Sequence, residues 1–250
     1  MSQRPGLVEK RVALVTGGSR GLGRAICEVL AREGATVAFN YTRSDEEAEQ
    51  TIEAVRAEGG RGLAFKASVT DKKGIAEMVR AIEKEAGIID ILVNNAGIGQ
   101  VVPLALMEEE DWDKMFSVHA KGAFVVTQAV LRGMIRQRRG RVLNMSSLAG
   151  VKMLEAPVHY SAAKAALRGF TESLAKEIGR YGVTVNCLAP GVLESGVSHN
   201  LPKPRLDEYL RHCAIGRVGT HKEVAEVVAF MVSDRNSYMN GATVVLDGGV

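Results

Sequence analysis

The chain has 250 residues, of which 46% are hydrophobic and 24% charged, and its formal net charge is +3. That is enough apolar material for one large core, and so small a positive excess gives no argument for nucleic-acid binding. No apolar run approaches the roughly 18 residues of a membrane span, residues 1–10 lack the apolar segment of a secretory signal, and Cys27, Cys187 and Cys213 lack metal-ligand spacing; a reduced, cytoplasmic, soluble protein is expected, without metal, membrane or nucleic acid.

Residues 12–16, V-A-L-V-T, read as a buried strand. Gly17-Gly18-Ser19-Arg20-Gly21-Leu22-Gly23 follows, then a helical pattern from 22 to about 33 and a second strand over 36–41. Strand, glycine-rich turn, helix, strand is the setting in which a glycine cluster points to a dinucleotide. Glycines allow close backbone approach, and the start of the helix faces the phosphates. The second strand runs into Thr42-Arg43, where an NAD site places an acid for the ribose; none comes before Asp45, which begins the next helix. Arg20 and Arg43 instead offer two cations to a 2′-phosphate, which favours NADP(H).

Ser44 caps a helix with an acidic first turn that ends near Gly59-Gly60. A third strand is expected over 62–69, a helix over about 71–86, and a fourth strand over 89–93 that leads into Asn94-Asn95-Ala96-Gly97. A long helix spans roughly 109–138, a fifth strand 142–145 reaches Ser146-Ser147, a second long helix covers 157–181, and a sixth strand covers 183–188. Residues 189–220 keep no steady period; a helix over 223–233 and a strand over 243–246 close the chain. This alternation predicts an α/β fold: one doubly wound Rossmann-type domain over 1–250, with about seven parallel strands and helices on both faces. The glycine turn and Ser147 both follow strand ends where such sheets bind ligands.

The stretch 147–164 carries Ser147, Tyr160 and Lys164. Tyr160 and Lys164 share one helix face. An ammonium beside a phenol favours the phenolate, and lowering a tyrosine pKa from about 10 to about 7 takes roughly 4 kcal/mol. Such a tyrosine could exchange a proton with a carbonyl or alcohol oxygen, while a serine hydroxyl on the same oxygen would hold it and stabilise developing charge. With a hydride carrier present, this is equipment for carbonyl/alcohol redox.

T-G-G-S-R-G-L-G at 16–23, N-N-A-G at 94–97, Ser147 with Tyr160 and Lys164, and P-G at 190–191 occur in the order found in short-chain dehydrogenases/reductases, which the chain resembles from about residue 10 to its end. Within that family it is most similar to 3-oxoacyl-[acyl-carrier-protein] reductases, and the ending V-L-D-G-G is like theirs. The resemblance implies that Tyr160 is the acid/base, Lys164 its partner and the holder of the nicotinamide ribose, and Ser147 the group that positions the carbonyl. It implies a cofactor site formed by Gly17, Ser19, Arg20, Gly21, Leu22, Gly23, Thr42, Arg43, Ser68, Val69, Asn95, Ala96, Gly97, Tyr160, Lys164, Pro190, Gly191, Leu193 and Ser195. It also implies a substrate lid over about 190–217 and a homodimer or homotetramer built on the two long helices.

Two positions depart from the family. His119 stands where asparagine is usual, and could serve through a ring nitrogen, join a proton relay, or mark lost activity. Ser68 stands where aspartate commonly meets adenine. His159 is also unusual, and reads as an exposed polar residue near the cleft. The expected function is NADPH-dependent reduction of a 3-oxoacyl thioester, carried on acyl carrier protein, in fatty-acid or polyketide-type synthesis. The alternatives are a reductase of another ketone, sugar or steroid, or a non-catalytic cofactor-binding partner subunit. Arg132, Arg136, Arg138, Arg139 and Arg141 suit a helix C-terminus; as a patch they could also steer an acidic carrier protein.

Overall fold

The computed structural model describes residues 5–195 and 203–250. Seven parallel strands form one sheet: β1 (Val12–Thr16), β2 (Thr36–Tyr41), β3 (Arg61–Lys66), β4 (Ile91–Asn94), β5 (Gly140–Met145), β6 (Val183–Pro190) and β7 (Thr243–Leu246). Their order is β3-β2-β1-β4-β5-β6-β7, so the winding reverses between β1 and β4. Beyond the strand C-termini, such a reversal is the usual ligand position in sheets of this kind.

Alternate side chains along a strand face opposite sides, and the core divides accordingly. Ala13 and Val15 of β1 pack with α1 (Gly21–Arg32) and α8 (His221–Met231), through Ile26, Leu30, Val224 and Val228. Val12 and Leu14 pack on the other face with α3 (Lys72–Ala86), α5 (Gly122–Gln137) and α6 (Val158–Ile178), through Ile75, Ile82, Val126, Val130 and Ile178. The remaining helices are α2 (Asp45–Ala57), α4 (Glu109–Phe116) and α7 (Lys203–His212).

Three expectations are corrected. The helix expected over 109–138 is two helices, α4 and α5, joined by a π-helical turn over Ser117–Lys121. The wider turn carries His119 inward to 3% exposure, and such turns often accompany functional sites. Residues 203–212, read as aperiodic, form α7; its apolar set is only Leu206, Tyr209 and Leu210, half-buried, too short a run to stand out in the irregular stretch around it. The third strand stops at Lys66 rather than 69, because Ser68 Oγ accepts the Thr70 N–H at 3.3 Å and Asp71 caps α3, turning the chain early. The lid expected over 190–217 falls partly on 196–202, outside the described residues.

The arginine cluster lies at the opposite end of the sheet from Ser147, since Arg139 and Arg141 flank the start of β5. Arg139 reaches the buried Asp90 at 2.6 Å and Arg141 pairs with Asp234 at 3.3 Å. Six residues of β5, about 20 Å of extended chain, separate these groups from the C-terminal edge of the sheet.

Candidate active site

The turn after β1 is held in place by its neighbours. Asn40 of β2 accepts the Gly17 N–H at 3.2 Å and donates to the Ala67 carbonyl at 2.8 Å. Thr16 Oγ1 accepts the N–H groups of Asn95 and Ala96, both at 2.9 Å, and Asn95 Nδ2 donates back to the Thr16 carbonyl at 3.0 Å. Gly17 and Gly21 have positive φ, 67° and 53°, where a side chain is strained. A Cβ on Gly23 would sit 2.1 Å from the Gly17 carbonyl oxygen, so only glycine lets α1 start this close to the turn. The α1 N-cap, Arg20, makes no side-chain capping bond, and the first turn has no acid. Backbone N–H groups at such a helix start suit an anion, so the cradle fits a dinucleotide diphosphate.

At the end of β2, Asp45 is engaged by Tyr41 Oη and Lys66 Nζ, both at 2.8 Å. Arg43 and Thr42 are exposed; Arg20 is largely exposed, 3.9 Å from Glu47. Ser68 Oγ is 2.8 Å from Thr70 Oγ1, and Val69 is buried beside Gly122. Ser19 is buried, with its carbonyl accepting from Arg24 at 2.8 Å and Thr51 at 2.9 Å.

Behind Ser147, Tyr160 and Lys164 runs a buried polar chain. Asn94 Nδ2 donates to Thr127 Oγ1 at 3.0 Å and to Asn144 Oδ1 at 2.8 Å, and Asn144 Nδ2 donates to Thr171 Oγ1 at 2.8 Å. It ties β4 and β5 to α5 and α6. Ser146 Oγ donates to the Lys164 carbonyl at 2.8 Å, and a Cβ on Gly150 would lie 2.7 Å from the Lys164 carbonyl carbon. Helix α6 is thereby seated on the loop after β5. Thr16 and Asn94 entered the sequence reading only as members of the motifs at 16–23 and 94–97; Asn40 and Asn144 were given no role there, their only signal being a polar residue near the end of an apolar strand.

This seating brings Ser147, Tyr160, Lys164 and His119 together. Ser147 lies close enough to the Tyr160 hydroxyl to favour its ionisation, so that hydroxyl faces the C-terminal end of β5. Lys164 Nζ donates to the Met145 carbonyl at 2.6 Å and lies 5.8 Å from the Tyr160 ring centroid. The expected lowering of the Tyr160 pKa by Lys164 does not appear: burial raises the phenol, and only the neighbouring Ser147 hydroxyl opposes that rise. Burial likewise lowers Lys164 to about 8. Both groups are pushed toward neutrality, as desolvation dictates.

His119 stands edge-on to the Tyr160 ring, 5.5 Å between centroids. Its Nε2 lies 3.1 Å from the Ile98 N–H and 2.9 Å from the Ile98 carbonyl oxygen, and Nδ1 is buried without a partner among the described residues. Burial, then the charge of Lys164, lowers its pKa to about 3. Gly97 makes room for the ring, since a Cβ there would be 2.5 Å from His119 Cε1. His159, read as exposed, is instead fully buried on α6, with neither ring nitrogen partnered among the described residues. The tight packing of α4 and α6 covers it, which a helix N-terminal position in sequence does not reveal.

Comparison with known proteins places these features in a family. The short chain dehydrogenase family profile matches residues 11–205. A 3-oxoacyl-[acyl-carrier-protein] reductase FabG from Vibrio cholerae is 40% identical over 243 residues, 97% of this chain and 98% of that protein. One from Staphylococcus epidermidis is 37% identical over 238 residues, 95% of this chain and 98% of that protein. Among solved structures, a short-chain dehydrogenase/reductase from Serratia marcescens superposes with a TM-score of 0.91 at 34% identity, covering 97% of this chain and 98% of that one.

Proposed function

The chain belongs to the short-chain dehydrogenase family, and from that premise we propose that it is an NADPH-dependent reductase of 3-oxoacyl thioesters, carried on acyl carrier protein, in fatty-acid synthesis. It is an oxidoreductase of the CH–OH/C=O couple and uses a nicotinamide cofactor. The observation that carries the finer reading is the placement of Ser147 by the Tyr160 hydroxyl with Lys164 over the same ring, close to the anion cradle after β1.

Bound NADPH would supply the hydride. Tyr160 gives its hydroxyl proton to the carbonyl oxygen, and Ser147 donates to that oxygen and fixes it. Lys164 holds the ribose and supplies positive charge beneath the phenol. The glycine turn and the start of α1 take the diphosphate, while Arg20 and Arg43 take the 2′-phosphate. His119 stays neutral, and its bond to Ile98 fixes the loop after β4 against the pocket; it is a positioning residue. Val101, Leu104, Leu106, Met153, Leu154 and Ile215 expose apolar side chains on the loops beyond the strand C-termini, a lining suited to an acyl chain. Phe124 and Val158, exposed on α5 and α6, support a homodimer or tetramer through those helices. Among the described residues no helix is long and apolar enough to cross a membrane, in keeping with a cytoplasmic enzyme.

The test is a substrate panel with NADPH and NADH side by side. The expected result is fastest turnover of carrier-linked 3-oxoacyl substrates, with NADPH preferred. Preference for a free sugar or steroid ketone, or for NADH, would overturn the assignment. A specific pair tests the cofactor: Arg43→Ala should raise KM for NADPH about tenfold and leave that for NADH nearly unchanged.

A further inference from the structure

His221 is the first residue of α8, a helix with no assigned part in the cofactor site. Helix α8 packs along α1 through Val224, Val228, Ile26 and Leu30, so the two helices begin side by side at the C-terminal edge of the sheet. The start of α8 is rigid: Thr220 Oγ1 accepts the Glu223 N–H at 3.1 Å, and Glu223 Oε2 accepts the Thr220 N–H at 2.8 Å. The His221 ring lies over the glycine turn. Its Cε1 would lie 3.7 Å from a Cβ built on Gly21. On its other side, Nε2 is 3.4 Å from Ser195 Oγ, and Nδ1 is 3.7 Å from Glu194 Oε1, the oxygen that also accepts the His221 N–H at 2.9 Å. The side chain is only 13% exposed.

We propose that His221 is a further cofactor-binding residue, whose imidazole contacts the dinucleotide diphosphate from the side facing the glycine N–H groups. An imidazole held between Gly21 and the segment after β6 places a hydrogen-bonding, chargeable group where the cradle is otherwise backbone, and a charge-assisted contact to phosphate is among the stronger polar interactions. Glu194 holds the ring from behind. The inference rests on the proposed use of NADPH and adds to it one residue from a helix outside the recognised motifs.

The test measures dissociation constants of NADPH and of adenosine 2′-monophosphate, which has the 2′-phosphate but no diphosphate, for wild type, His221→Ala and His221→Asn. Both variants should bind NADPH about tenfold more weakly and adenosine 2′-monophosphate within twofold of wild type. NADPH affinity within twofold of wild type in both variants would overturn the inference. So would an equal loss for both ligands, which would mean that the turn itself had moved. A wild-type protein that binds no NADPH would overturn the proposed cofactor, and this inference with it.

Discussion

At the scale of single residues, the four side chains of the pocket trade folding stability for placement. Lys164 is the clearest case. An ordinary lysine titrates near 10.5 and this one at about 8, a difference of about 3 kcal/mol. The unfolded chain keeps its proton between pH 8 and 10.5 and the native protein does not, so this group makes stability rise with pH across that window and opposes folding below it. Lys164→Met should therefore raise the melting temperature at pH 7 while abolishing reduction; an unchanged or lower melting temperature would contradict the account. In the wild type, kcat/KM for reduction should decline above about pH 8 as Lys164 loses its charge.

His119 obeys the same rule in acid. Its native pKa of about 3 lies below the ordinary 6.5, so the unfolded chain takes up a proton first as pH falls. Stability is lost below pH 6.5 at roughly 1.4 kcal/mol per pH unit from this group. His119→Asn should flatten the acid limb of denaturant unfolding measured between pH 6.5 and 4. Because an amide can also bond Ile98, that variant should keep most activity, whereas His119→Ala should lose about ten- to a hundredfold in kcat through loss of placement. Equal activities for the two variants would remove the positioning role. Of these residues, Ser147, Tyr160 and Lys164 were legible as a group because their spacing suits one helix face and one strand end. The buried state of His159 and the direction of the Tyr160 shift were not, because both depend on what packs around α6.

At the scale of elements, legibility followed apolar periodicity. Strands β1, β2 and β7 and helix α2 appear where an alternating or continuous apolar pattern, or a serine cap, announces them. The π turn over Ser117–Lys121 does not, since an extra residue in a turn leaves the neighbouring apolar positions intact. Helix α7 is missed because its inner face is short and only half-buried. The glycine turn is the element on which the proposed cofactor binding depends most. Gly23→Ala would drive a methyl against the Gly17 carbonyl oxygen, so it should destabilise the protein by about 1–3 kcal/mol and weaken NADPH binding, as read by thermal unfolding and fluorescence titration. A variant of wild-type stability and affinity would mean that α1 does not need this close approach.

At the scale of the whole molecule, sheet order does the assembling. Because β4 lies beside β1 and β5 beside β4, the glycine turn, the Asn95–Gly97 loop and Ser147 meet at one edge although they are far apart in sequence. The basic cluster at Arg139 and Arg141 is carried to the other edge, where it forms ion pairs with Asp90 and Asp234. A ligand that bridges several of these loops should stabilise the fold as a unit. NADPH at a hundred times its dissociation constant should add about 2.7 kcal/mol, a rise in melting temperature of roughly 5–10 °C, and NADH at the same concentration should add less.

The most direct measurement is single-turnover oxidation of NADPH by excess protein with an acetoacetyl thioester, comparing wild type with Tyr160→Phe. The account predicts rapid loss of NADPH absorbance in the wild type and none above background in the variant, which still binds NADPH. Oxidation that survives in the variant, or wild-type protein that binds NADPH without oxidising it, would contradict the assignment of Tyr160 as the proton donor.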